Sequence, residues 1–361
     1  MGQLQVQKLD KHLGGRKVVD GVSFTIDDGE FFVLLGPSGC GKSTLLRLIC
    51  GLESPDTGSV WLNGVNITTM PPRERNLGMV FQDYGLYPNM NVYQNIAYGL
   101  EARSVPKAEI ERRIPPAAEK LGLEELLKRN IGELSGGEQQ RVALARAMVK
   151  DAEAYLYDEP LSNLDPKLRH KARNDIMAVH RLKGKPSIYV THDQAEAFAM
   201  ADRIAVVSAG KIQQIGTADE LLTAPANTFV AAFLGAPSTN LLEGKLQNVG
   251  GQVYFAGDGI TITLPERWIP LLTHYGMDRV IAGIPPTAFH IGEGENAITT
   301  PATMVELLLG ETIVGFNVGG SAHLTASFAD LDVVNEGDTL TFTIDPERVL
   351  LFDYDSQQAI Q

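Results

Sequence analysis

Apolar residues fall into two different patterns along this chain. Leu4-Gln5-Val6-Gln7 and Ser23-Phe24-Thr25-Ile26 alternate apolar with polar positions, which predicts half-buried strands, and Asp27-Asp28-Gly29 reads as a turn. The next run, Phe31-Phe32-Val33-Leu34-Leu35, is apolar at every position. A strand apolar on both faces belongs in the middle of a parallel sheet. Further apolar runs at Leu77–Phe81, Ala154–Tyr157, Ser187–Val190 and Arg203–Val207 are separated by helix-like stretches, notably Glu138–Lys150 and Lys167–Lys183. Residues 1–235 therefore read as an α/β domain.

From Leu241 onward the pattern changes. Short runs at Gln252–Ala256, Ile260–Leu264, Val280–Ile284, Thr303–Leu309, Thr312–Val318, Ala322–Ser327, Thr339–Ile344 and Val349–Phe352 are spaced by Gly, Asn and Asp turns. Helical periodicity almost vanishes, which predicts a small all-β barrel or sandwich over residues 236–361.

Composition narrows the classes. A chain of 361 residues accommodates two domains, and 44% hydrophobic with 21% charged residues is ordinary for a globular protein. No apolar stretch approaches the eighteen or so residues that span a bilayer, and Met1–Val6 lacks the basic-then-apolar order of a signal peptide, so a cytosolic location is expected. A net charge of -13 opposes general nucleic-acid binding and adsorption to lipid. Any membrane role runs through protein contacts. Cys40 and Cys50, the only cysteines, are expected to be free thiols.

The candidate chemistry begins right after the all-apolar strand. Gly36, Pro37, Ser38, Gly39, Cys40, Gly41, Lys42, Ser43 and Thr44 form a Walker A pattern between that strand and the apolar helix Leu45–Cys50. Glycines there let backbone N–H groups converge on phosphate oxygens at a helix N-terminus. Lys42 adds a cation for the β- and γ-phosphates, and the Ser43 hydroxyl is a ligand for Mg²⁺. Asp158-Glu159 follows the run Ala154–Tyr157 as a Walker B pair, with Asp158 directed to the metal and Glu159 polarising the attacking water.

Leu134-Ser135-Gly136-Gly137-Glu138-Gln139-Gln140-Arg141 is the most specific string. Ser135 and the amides of Gly136 and Gly137 stand at a predicted helix start, where they suit a second phosphate; Ser135 and Glu138 also fit a capping box. This string resembles the signature motif of ABC-family ATPases. The resemblance implies a P-loop ABC ATPase domain working as an isologous homodimer, each ATP lying between the Walker A loop of one subunit and Ser135, Gly136, Gly137, Gln139 and Asp165 of the other. It makes Gln82 the Q-loop residue that contacts Mg²⁺ or water, Asp165 part of the D-loop, and His192 the switch histidine at the γ-phosphate, so that Glu159, His192 and Gln82 form the catalytic group. ATP and Mg²⁺ are the implied cofactors. The adenine contacts fall on Leu13 and Val18. Where the family carries an aromatic platform this chain has Leu13, with His12 beside it, so that either ATP affinity and base selectivity are reduced or His12 substitutes.

Tyr84–Asn95, Ala224–Val230 and Pro237–Leu241 resemble ATPases of carbohydrate importers of the maltose and glycerol-phosphate type. The C-terminal region would then be an OB-like (MOP/TOBE-type) regulatory domain, with Gly283-Ile284-Pro285-Pro286 in place of the usual Gly-Ile-Arg-Pro-Glu. Two transmembrane permease subunits, indirectly an extracellular or periplasmic solute-binding protein, and a peripheral position on the cytoplasmic face of the membrane follow from the same resemblance. Polyamine, iron and anion importers use similar ATPases. A soluble ABC ATPase acting on nucleic acid or ribosomes is disfavoured by the single cassette, the absence of sustained heptads and the acidic charge balance.

Overall fold

The computed structural model describes residues 3–257, 259–270, 279–308, 310–319, 322–329 and 334–360. Met1 and Gly2, and the Leu309 end of one predicted run, lie outside the described residues. The chain divides into two compact units, Met1–Ala218 and Asp219–Gln361.

The first unit runs β1 (Gln3–Leu13), β2 (Arg16–Asp27), β3 (Phe31–Leu35), α1 (Lys42–Cys50), β4 (Thr57–Leu62), β5 (Val65–Asn66) and β6 (Leu77–Val80). It continues through α2 (Val92–Glu101), α3 (Lys107–Leu121), α4 (Gly136–Met148), β7 (Ala154–Asp158), α5 (Pro166–Lys183), β8 (Ser187–Thr191), α6 (Gln194–Met200), β9 (Arg203–Ser208) and β10 (Lys211–Gly216). Two sheets result. One, in the order β2-β1-β4-β5, is antiparallel. The other, β10-β9-β3-β8-β7-β6, is parallel from β9 to β6 and edged by antiparallel β10. All five residues of β3 are fully buried, as the unbroken apolar run predicts for a central strand.

In this unit α2, α3 and the short α6 escaped the periodicity reading. The start of α2 is set by a capping box in which Asn91 and Gln94 satisfy each other's backbone N–H groups. Helix α3 carries Pro115 and Pro116, residues that ordinarily end a helix, yet buries Ile110, Ile114, Ala117, Ala118 and Leu121 on one face.

His180 of α5 is buried, with Nδ1 2.8 Å from the Ser187 hydroxyl and Nε2 3.1 Å from the Gly29 carbonyl. The carbonyl only accepts, so Nε2 carries the proton and Nδ1 accepts from Ser187 in a neutral ring. Burial pushes the His180 pKa below its ordinary 6.5. A histidine with a lowered folded-state pKa stabilises the fold fully above its unfolded value and loses that contribution as pH falls towards the folded one. The melting temperature should therefore drop on acidification below about pH 6.5, with a shallower dependence in His180→Gln. Identical slopes in thermal melts of the two proteins would count against this role.

The second unit opens with α7 (Ala218–Thr223) and α8 (Thr228–Phe233). It then builds β11 (Asn240–Val249), β12 (Gln252–Gly257), β13 (Ile260–Leu264), β14 (Arg279–Ile284), β15 (Phe289–Ile291), β16 (Ile298–Leu308), β17 (Glu311–Val318), β18 (Ala322–Ala329), β19 (Thr339–Ile344) and β20 (Leu350–Asp353). They form two five-stranded antiparallel sheets, β13-β12-β11-β14-β20 and β15-β19-β16-β17-β18. One apolar core takes residues from both, including Leu242, Phe255 and Ile262 from the first and Phe289, Phe316 and Phe342 from the second. The all-β expectation is met.

Candidate functional site

The phosphate-loop sequence turns tightly between β3 and α1. Gly41 caps α1 in a left-handed conformation, φ 109°, and a Cβ there would stand 2.3 Å from the Val18 carbonyl, so only glycine fits. This also places Val18, predicted as an adenine contact, against the loop. Lys42 is almost fully buried, and its ammonium donates to the carbonyls of Gly36 at 2.7 Å and Pro37 at 2.9 Å. The cation is thus held inside the loop. Cys40 and Cys50 are both buried free thiols.

At the start of α1 the Ser43 hydroxyl donates to Asp158 Oδ1 at 2.7 Å, bringing together two predicted metal ligands from the first turn of α1 and the end of β7. Burial raises the Asp158 pKa, opposed by the hydrogen bond from Ser43 and by the charges of Arg47 and Lys42. A carboxylate buried at this cost and already aligned with a hydroxyl is prepared for a cation. One residue on, Glu159 adopts φ 41°, a left-handed conformation that a side chain ordinarily avoids. It is held there because its N–H donates to the Val190 carbonyl at 3.1 Å and its own carbonyl accepts from Ser162. The strained backbone directs the Glu159 carboxylate to His192, whose Nδ1 lies 3.2 Å from Oε2. Glu159 is the more enclosed partner, at 17% side-chain exposure against 50% for His192.

Gln82 follows β6, and its carbonyl accepts from Asn163 Nδ2 at 2.9 Å, which ties it to the Ser162–Asp165 turn. The next residues are fixed by Arg146 of α4, which donates to the carbonyls of Tyr84 at 2.7 Å and Gly85 at 2.6 Å. Sequence reading missed Arg146. A lone arginine in a helix has no motif to single it out.

The residues predicted to act on a second nucleotide have local partners. Ser135 caps α4: its hydroxyl oxygen accepts from the Glu138 N–H at 3.4 Å while Glu138 Oε2 accepts from the Ser135 N–H at 2.8 Å, which is the expected capping box. The amides of Gly136 and Gly137 open that helix. Gln139 donates to the Ile131 and Leu134 carbonyls, and Asp165 caps α5 through the amides of Lys167 and Leu168. Each of these residues orders its own segment.

Leu13 ends β1 at a surface position, 41% exposed. His12 does not stand in as a free ring, since both its N–H and Nδ1 engage Asp56 Oδ2, at 2.7 and 2.9 Å. Leu13→Trp should tighten ATP binding about threefold to tenfold, because base–aromatic stacking contributes about 1–3 kcal/mol and an exposed site captures only part of it. Unchanged nucleotide affinity in a titration of the variant would refute Leu13 as the adenine position.

The geometry agrees with the comparisons to known proteins. The family model described as ABC transporter matches residues 19–162. The chain is 41% identical over the full length of both proteins to the sulfoquinovosyl glycerol transport ATP-binding protein SmoE of Agrobacterium fabrum. It is 43% identical, over 97% of each chain, to the trehalose/maltose import ATP-binding protein MalK of Thermococcus litoralis. It is 40% identical over all of both chains to the oligosaccharides import ATP-binding protein MsmX of Bacillus subtilis. Among solved structures, a dimeric ATP-binding cassette in a post-hydrolysis state bound to ADP and Pi matches with a TM-score of 0.54 and 28% identity, over 59% of this chain and 98% of that one. With four-tenths of its residues identical to such proteins from end to end, the chain belongs to the ABC transporter family, as one of its ATP-binding subunits.

Proposed function

We propose that this chain is the ATP-hydrolysing subunit that energises a binding-protein-dependent importer of carbohydrate-type solutes. The observation that carries the ATPase part is the pair of contacts at the strand ends: Ser43 with Asp158, and Glu159 with His192. The solute class rests on the relatives, whose names speak of a sulfoquinovosyl glycerol, of trehalose and maltose, and of oligosaccharides.

Mg²⁺ suits the donor set, since a hydroxyl and a carboxylate are hard oxygen ligands of the kind this cation takes. Ser43 and Asp158 would hold it, with Gln82 as the further ligand that the family resemblance implies, and the ion would neutralise charge developing on the phosphates. Glu159 takes up or orients the proton of the attacking water, and His192 holds that carboxylate in place. Gly36–Thr44 and Lys42 bind the phosphates. Ser135, Gly136, Gly137, Gln139 and Asp165 serve the nucleotide of a second copy, because their helix starts suit anions and one chain holds one phosphate loop.

A cavity of about 250 Å³ beside the loop after Gln82 is lined by Phe81, Gly85, Tyr87, Tyr98 and Arg146. The rings of Tyr87 and Tyr98 lie 4.4 Å apart and are 38% exposed each. We assign this surface to the permease subunits and the protein to a peripheral position on the cytoplasmic face; among the described residues no helix is long and apolar enough to cross a membrane. We take residues 1–235 as the catalytic domain and 236–361 as a regulatory domain, a boundary that falls after α8, whereas the compact units divide after Ala218. The decisive experiment is reconstitution with a permease pair and ATP: solute uptake that follows Mg²⁺-dependent hydrolysis supports the reading, and hydrolysis with no uptake of any saccharide or glycerol derivative overturns the solute class.

A further inference from the structure

The second unit contains a cavity of about 760 Å³, within the usual range for small-molecule sites. It is walled by α7, the 3₁₀ turns at Glu266–Trp268 and Pro346–Arg348, and the strand ends carrying Glu311 and Ser327. None of the predicted ATP or metal residues reaches it.

We infer that this cavity binds a neutral saccharide. Its lining carries three carboxylates, Asp219, Glu311 and Glu347, and two guanidinium groups, both of them committed. Arg267 pairs with the Glu347 carboxylate and donates to the Glu347 carbonyl at 2.7 Å, while Arg348 donates to the Thr287 carbonyl at 2.5 Å and hydroxyl at 2.6 Å. Committed guanidinium groups beside the carboxylates of Glu311 and Glu347 leave no surplus positive field for a phosphate or sugar phosphate. Arg267 already lies over the Trp268 ring at 5.4 Å, which removes that face as a site for a ligand cation. What the wall offers is a mixture that suits hydroxyl groups. The Ser327 hydroxyl, 8% exposed, donates to Glu311 Oε2 at 3.3 Å, and the carboxylate has accepting capacity left. The Trp268 indole N–H is buried and has no partner among the described residues. Proline, leucine and valine side chains supply the apolar remainder, against which the C–H faces of a sugar ring can lie. Saccharides both donate and accept at each hydroxyl, so a wall of carboxylate, hydroxyl and carbonyl groups serves them without a charge of their own.

The chain has two tryptophans, so Trp61→Phe leaves Trp268 as a sole fluorescent reporter in the full-length protein. That protein is titrated without nucleotide with maltose, trehalose, glycerol 3-phosphate, inorganic phosphate and spermidine. The expected result is a saturable change in Trp268 emission with maltose or trehalose, half-complete at or below about 1 mM. Glu311→Ala should weaken that binding about tenfold, as loss of a hydrogen bond to a charged group does. Leu307→Ala, 79% exposed and outside the cavity, should leave it unchanged. No saturation with either disaccharide, saturation only with the anions or spermidine, or equal weakening by both substitutions would each overturn the inference. Because nucleotide is absent, such failure leaves the ATPase reading untouched.

Discussion

Glu159→Gln should retain ATP binding, lower turnover by about 10³-fold and accumulate a closed dimer. Glutamine keeps the volume and one acceptor oxygen of Glu159 but cannot take a proton, and general-base catalysis is commonly worth 10²–10⁴. A 10³-fold loss corresponds to about 4 kcal/mol of transition-state stabilisation. The structure sharpens this expectation in two ways. Glu159 is held at φ 41° by the Val190 carbonyl and by Ser162, so its backbone placement does not depend on the charge of the side chain. Its carboxylate meets His192 Nδ1 at 3.2 Å, a contact the amide can reproduce. The substitution therefore removes the chemistry and keeps the architecture. Single-turnover hydrolysis measures the first effect, and size-exclusion chromatography with ATP the second. Turnover within about tenfold of the parent would remove Glu159 from the role of base.

Lys42→Ala should weaken ATP binding by about 100-fold or more and abolish measurable hydrolysis. A charge-assisted hydrogen bond contributes about 1.5–3 kcal/mol, and the ammonium has several donors to offer the phosphates. Lys42 is 3% exposed and its Nζ donates to the Gly36 and Pro37 carbonyls, so the cation is already inside the loop and little side-chain entropy is lost on binding. Its removal also deprives those two carbonyls of a donor. For that reason thermal melting must accompany the nucleotide titration, and a variant that melts like the parent yet binds ATP normally would refute the assignment. Lys42→Arg is the useful companion, since a planar guanidinium keeps the charge but not the compact shape.

Both substitutions test residues that a motif singled out, and the motifs are legible for a local reason. A phosphate loop needs its glycines, lysine and serine consecutive, because successive amides build the cradle, and Gly41 shows the constraint directly, since a Cβ there would clash with the Val18 carbonyl. The capping box of Ser135 and Glu138 spans one helical turn, so it too is written in neighbouring letters. Helix α3 was not legible. Pro115 and Pro116 signal a break, and the buried row of Ile110, Ile114, Ala117, Ala118 and Leu121 outweighs that signal once tertiary burial is available.

The sequence by itself determined the local parts: the buried central strand, the phosphate loop, the helix caps and the change from α/β to all-β near residue 235. Such features depend on residues within a turn or a strand of one another. Only the tertiary structure decided which distant parts meet. Ser43 reaches Asp158 across 115 positions and Glu159 reaches His192 across 33, because β3, β7 and β8 lie side by side in one parallel sheet and their ends open on the same edge. Arg146 on the loop after Gln82, and the walled cavity around Trp268, belong to the same class. Pairing of strands and packing of side chains select these contacts, and neither leaves a fixed spacing along the chain.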